Sequence, residues 1–107
     1  MKRGDLITIS VTGDYGKPRP GLVIQSDRYM PHTSVLVAPL STHLIDSPDV
    51  RIPLKPTEEN GLRELSQVML DKILAVPNKK VGKLIGRVDE ATMRKVNWAL
   101  RELLELF

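Results

Sequence analysis

A chain of 107 residues and 12.0 kDa has room for one domain with a real core and not for two. It contains no cysteine, which excludes a disulfide framework and a thiolate metal site and fits a reducing compartment. A formal charge of +3 and a pI near 9.4 allow an anionic partner without requiring one. From Asp89 to Phe107 three cations stand against four carboxylates, a net of −1, so residues 1–88 carry +4.

The start, Met1-Lys2-Arg3-Gly4-Asp5, passes straight into a strand-like run, with no apolar stretch long enough for a signal peptide or a membrane span. A soluble, cytoplasmic protein, a single domain over residues 1–107, is the expectation. Leu6 to Val11 alternates Ile7, Ile9 and Val11 with Thr8 and Ser10, the period of a half-buried strand. All eight prolines fall between Pro18 and Pro77 and cut that region into short extended pieces. Strands are predicted at Leu22 to Gln25, Val35 to Ala38 and Val68 to Leu70, with Val50 to Leu54 confined to an edge by Pro53. Thr57 to Gly61 reads as a single helical turn, capped by Thr57 and closed by Gly61. Val81 to Ile85 reads as a further strand or a turn.

The last thirty residues hold no proline and sustain a helix. Asp89 is its N-cap, with Val88 and Met93 placed as a hydrophobic staple. Met93, Val96, Leu100, Leu103, Leu104 and Phe107 form one apolar stripe, which is expected to pack on the sheet. Trp98 lies off that stripe, covered by a partner subunit or by a loop of the same chain. About five short strands and one terminal helix predict a mainly β fold, a small, strongly bent antiparallel barrel of the SH3-like kind.

The chain carries no Gly-rich phosphate loop, no zinc-type ligand cluster and no nucleophile elbow. His32 and His43 have no metal-ligand spacing, so no metal and no cofactor are expected, and each histidine reads first as a surface residue. The unusual feature is Gly16-Lys17-Pro18-Arg19-Pro20-Gly21, where two prolines flank an arginine. An arginine on restrained backbone loses less freedom on docking, and its planar fork can grip two phosphate oxygens. The same residues also read as a soluble basic connector.

Three segments resemble the MazF/PemK (Kid) toxin family, with its CcdB/MazF-like fold. They are Arg3-Gly4-Asp5, Lys17-Pro18-Arg19-Pro20-Gly21-Leu22-Val23-Ile24-Gln25-Ser26-Asp27 and Ala38-Pro39-Leu40-Ser41-Thr42. Gln67-Val68-Met69-Leu70-Asp71-Lys72 resembles the family's central strand, and Val81-Gly82-Lys83-Leu84 its usual ending. The resemblance implies the toxin of a type II toxin–antitoxin system: a homodimer that cuts single-stranded RNA at short sequence motifs without a metal. It also implies inhibition by an antitoxin whose acidic, flexible tail fills the RNA groove. Arg19 matches the catalytic arginine and Ser41 a threonine or serine position, with Thr42 the adjacent hydroxyl. Asp71 matches an acidic position, but Met69 stands where some members carry an arginine.

The implied chemistry is attack by the 2′-hydroxyl on its own phosphate, with Arg19 on the developing charge and Asp71 or a histidine as base. Lys17, Arg28 and Lys72 are candidate phosphate contacts, or ordinary solvated charges. His43 is a further candidate RNA contact, and Tyr15 and Tyr29 are candidates to stack on bases, or structural loop residues. Two alternatives share the fold prediction: a CcdB-like gyrase inhibitor without nuclease activity, and a non-catalytic SH3-like binding module. The C-terminal Leu103-Leu104-Glu105-Leu106-Phe107 lacks the tryptophan through which gyrase poisons act.

Overall fold

The alternating run that begins near Leu6 pairs on both sides and becomes an inner strand of an antiparallel sheet. The fold comes from a computed structural model, which describes residues 1–10, 17–31 and 33–107. Among these, seven strands precede one helix: β1 (Asp5–Ile9), β2 (Arg19–Val23), β3 (Ser34–Ser41), β4 (Arg51–Leu54), β5 (Ser66–Met69), β6 (Leu74–Pro77), β7 (Val81–Arg87) and α1 (Glu90–Leu104). The strands run β4-β5-β3-β2-β1-β7, and β6 also pairs with β3. The outer strands β4 and β7 do not pair, so the sheet is bent without closing.

The expected strand count of five is too low. β6 follows β5 after only a 3₁₀ turn at Leu70–Lys72, and the two share one edge of β3. Val81 to Arg87 is a strand and not a turn. The expected edge strand is β4, which among the described residues pairs only with β5. The single turn after it also forms: Gly61 N–H donates to Thr57 O, Thr57 Oγ1 accepts from Asn60 N–H, and Gly61 closes the turn at φ +68.

Two prolines decide where the sheet opens. Ile24 N–H donates to Leu36 O, so alternation turns the backbone groups of Leu22 and Pro20 toward β3, and those of Ala38 and Leu40 toward β2. The β2–β3 ladder ends at Gly21 with Pro39. The next bond would need an N–H on Pro20, which has none. On the opposite edge of β3, pairing with β6 ends at Val37 and pairing with β5 starts at Leu40. Pro39, which also lacks an N–H, lies at that break. The strand β2 begins at Arg19, earlier than predicted, because β1 pairs with Arg19 and Pro20 where β3 does not.

Successive side chains of the strands serve two clusters. Leu6, Leu22, Ala38, Leu40 and Val68 pack with Val96 and Ala99 of α1, whereas Ile7, Ile9, Val23, Val35, Val37 and Val76 form a second cluster. A core that serves both faces of the bent sheet thus replaces the single one expected. Full burial of each aliphatic side chain stabilises the fold by about 1.5–3 kcal/mol. Gly21 lets β2 approach β3 closely, since a Cβ there would lie 2.4 Å from Val37 Cγ1.

The helix starts as predicted: Asp89 Oδ1 accepts from Thr92 N–H at 2.7 Å, and Val88 and Met93 both join the first cluster. The predicted stripe holds for its first half only. Val96 is buried and Met93 and Leu100 are partly so, but Leu103, Leu104 and Phe107 are exposed. The described residues thus leave the end of the stripe largely uncovered. Arg3-Gly4-Asp5 acts as a structural clasp. Arg3 donates to Ile24 O and Asn97 Oδ1, each at 2.7 Å, while Asp5 accepts from Arg87 at 2.6 Å.

Candidate functional site

The sheet's opening is a cleft of about 560 Å³. Pro20, Pro39 and Leu40, the residues around which pairing fails, line it. Continuing the β2–β3 register two residues past Gly21 and Pro39 sets Arg19 opposite Ser41, on one face. Both line the cleft, and the chain leaving β3 adds Thr42 and His43. Lys72 enters from the 3₁₀ turn between β5 and β6, beside Met69 and Leu74.

The electrostatics follow from that roll. Arginine, lysine, imidazole and hydroxyls line the cleft, and no carboxylate does among the described residues. Such a surface favours a polyanion. Ser41 also shapes it: Ser41 Oγ accepts from His43 N–H at 3.0 Å and donates to His43 O at 3.3 Å, fixing the turn that presents Thr42 and His43. Gln67 braces the following loop as a backbone mimic, donating to Ile45 O and accepting from Ile45 N–H.

Of the residues singled out in the sequence, Arg19, Ser41, Thr42, His43 and Lys72 come together here. Lys17 is exposed, precedes the cleft by two residues and does not line it. Arg28 and Tyr29 lie on a 3₁₀ turn beyond the far end of β2, about 13 Å of strand away, with the Arg28 guanidinium 6.0 Å from the Tyr29 ring centroid. Tyr15 and His32 lie outside the described residues.

Asp71 does not line the cleft. Arg51 holds it, donating from Nε to Oδ1 at 2.9 Å and from Nη2 to Oδ2 at 3.3 Å. The hydrogen bond from this guanidinium, more than any other influence, keeps the Asp71 carboxyl below the usual carboxylate range, against the opposing pull of desolvation. A carboxylate so held is a poor proton acceptor. Sequence reasoning missed Arg51, reading its strand as structural; the signal was a cation at the head of an otherwise apolar edge strand. It is the cross-strand partner of Met69, the position at which the resemblance lacks a cation.

A second, larger groove of about 960 Å³ runs between α1 and β4, with Ile52, Pro53, Trp98 and Leu103 in its wall. Trp98 is 59% exposed, so no described loop of the chain covers it. The smaller cleft has the chemistry. Among the described residues, no three or more histidine, aspartate or glutamate side chains gather as a metal site. Among those residues, too, no helix is long and apolar enough to cross a membrane.

Residues 2–104 match the family described as PemK-like, MazF-like toxin of type II toxin–antitoxin system. The chain belongs to that family. A Mycolicibacterium smegmatis relative named Probable endoribonuclease MazF is 42% identical over 101 residues, which are 94% of this chain and 93% of the relative. The Mycobacterium tuberculosis toxin MazF-mt6 superposes with a TM-score of 0.79 at 26% identity, covering 95% of this chain and 98% of that one. A mycobacterial endoribonuclease solved in complex with its cognate antitoxin shares the fold, with a TM-score of 0.81 at 23% identity over 100% of this chain and 97% of its own. The bent sheet with a C-terminal helix is thus the PemK/MazF fold.

Proposed function

We propose that this PemK/MazF-type toxin is a sequence-specific endoribonuclease that cleaves single-stranded RNA without a metal ion. The observation that carries the reading is the cleft, which unites Arg19 with Ser41, Thr42, His43 and Lys72 and admits no carboxylate among the described residues. RNA brings its own nucleophile, so the protein needs only to align, to move protons and to stabilise charge. The 2′-oxygen attacks the adjacent phosphorus while the bond to the 5′-oxygen breaks, leaving a 2′,3′-cyclic phosphate and a 5′-oxygen that takes a proton from solvent water to become a 5′-hydroxyl.

Arg19 stabilises the charge of the phosphorane through its planar fork. Thr42 donates to a phosphate oxygen, and Ser41 holds the turn in shape. His43 takes the proton from the 2′-hydroxyl, imidazole being the side chain suited to exchange protons near neutral pH. Asp71, tied to Arg51, does not serve as base. Lys72 binds a neighbouring phosphate. A single strand fits because its bases splay, whereas a duplex holds them stacked. The toxin works in the cytoplasm as a homodimer, and its cognate antitoxin silences it by laying an acidic, flexible tail over the same cations.

The test is purified protein incubated with a long single-stranded RNA in excess EDTA. Discrete fragments ending in 2′,3′-cyclic phosphate are expected. RNA left intact in EDTA but cut with Mg²⁺ overturns the metal-free chemistry, and RNA intact in both overturns the nuclease reading.

A further inference from the structure

We infer that Arg51 is a positioning residue for RNA binding, holding the turn that carries Lys72 into the cleft; the inference rests on the nuclease reading above. The need for such a tether comes from the sheet. Between the pairs Leu40 with Val68 and Val37 with Leu74, β3 supplies only Ala38 and Pro39, whereas the facing chain runs from Met69 to Ile73. The surplus residues leave the ladder as the 3₁₀ turn Leu70–Lys72, which no side-chain cap bond holds at its start.

Beside the packing of Leu70, two polar anchors hold that turn, and both come from β4 or its approach. The Leu70 N–H donates to Val50 O at 2.9 Å, with the Leu70 side chain buried in the first cluster. Arg51 then grips Asp71 through both carboxylate oxygens. The Arg51 side chain is 8% exposed, so its fork is fixed by packing before it meets the carboxylate. A two-point contact to a planar carboxylate fixes orientation as well as distance. Lys72, the next residue, lines the same cleft as Arg19 and Ser41. Arg51 itself lines none of it. Its effect on RNA therefore passes through Asp71 to Lys72, and an ion pair buried on the Arg51 side sets the register of a phosphate contact.

The experiment measures binding of a single-stranded oligonucleotide blocked by 2′-O-methyl groups, which separates binding from cleavage, across a salt series. Each phosphate contact on a single strand contributes about 0.7 to the slope of log affinity against log salt. Arg51→Met is expected to lower that slope by about one contact, as Lys72→Met does. Adding Arg51→Met to Lys72→Met is expected to lower it no further. Arg51→Met leaves Asp71 without its partner, so Arg51→Met/Asp71→Leu, which removes both, is measured alongside and is expected to show the same loss. Arg51→Lys, which keeps the charge without the fork, is expected to fall between.

An unchanged slope in whichever Arg51 variant folds, or additive losses with Lys72→Met, overturns the inference while leaving the nuclease reading intact. Wild-type protein that neither binds nor cuts RNA removes the nuclease reading itself.

Discussion

Arg19 stands opposite Ser41 in the register of β2 and β3, two residues past the last pair the strands make. Each side chain therefore projects from strand backbone at a point where the strands have parted, and the gap between them is the cleft.

Arg19→Ala is expected to leave the fold intact and to reduce RNA cleavage at least ~100-fold, the scale of losing one preorganised charge stabiliser. Arg19 is exposed, so its truncation leaves no cavity. Single-turnover cleavage, with circular dichroism as the fold control, measures this, and undiminished cleavage removes Arg19 from the chemistry.

Pro20→Ala tests the origin of the cleft. The substitution restores the N–H that the ladder lacks opposite Leu40, a bond worth about 0.5–1.5 kcal/mol. It also frees the unfolded chain, costing about 0.4–1 kcal/mol. Stability is expected to stay within about 1 kcal/mol while kcat/KM falls about tenfold as the strands close. Hydrogen exchange reports it directly: the new amide at residue 20 gains protection if the ladder extends, and fast exchange at that amide refutes the account.

Gly21→Ala places a methyl group against Val37, with 2.4 Å from the new Cβ to Cγ1. Overpacking of this kind costs about 1–3 kcal/mol. Urea denaturation checks it, the expected sign being a lower midpoint at unchanged slope.

Asp71 and Asp89 give the pH dependence. Each carboxyl is held below its ordinary value of 3.8, Asp71 first by the hydrogen bond from Arg51 and Asp89 first by that from Thr92. A depressed folded value means that the unfolded chain binds protons first. The stabilisation is thus complete above the unfolded value and is lost as pH falls below it, through the lower folded value. Thermal midpoints are expected to be flat from neutrality down to about pH 5 and then to decline. In Asp71→Asn that acid decline is expected to be shallower, and an identical decline refutes the role given to the Arg51 pair.

The sequence disclosed the parts whose physics is local. Asp89, Val88 and Met93 mark the helix start through contacts spanning one turn, and Pro53 marks an edge because a central strand needs its N–H. The onset of β2 was obscured by that same reasoning: Pro20 argues against a strand until β1 is seen to pair with it where β3 does not. β6 escaped notice because four residues ending in Pro77 carry little pattern of their own and owe their state to pairing with Ser34 to Val37. In the site, the resemblance to the MazF/PemK family named Arg19, Ser41 and Thr42 together, and all three line the cleft. The Arg51–Asp71 contact was not legible, since it joins residues twenty apart through the β4–β5 ladder.

A trench made by withheld hydrogen bonds differs from one roofed by a lid. Its walls are strand ends whose spacing is dictated by the proline ring, so the shape exists before any ligand arrives. Entry then freezes little main-chain freedom between those walls, and selection among ligands falls to charge placement and to how readily a nucleotide chain adopts the shape already waiting for it.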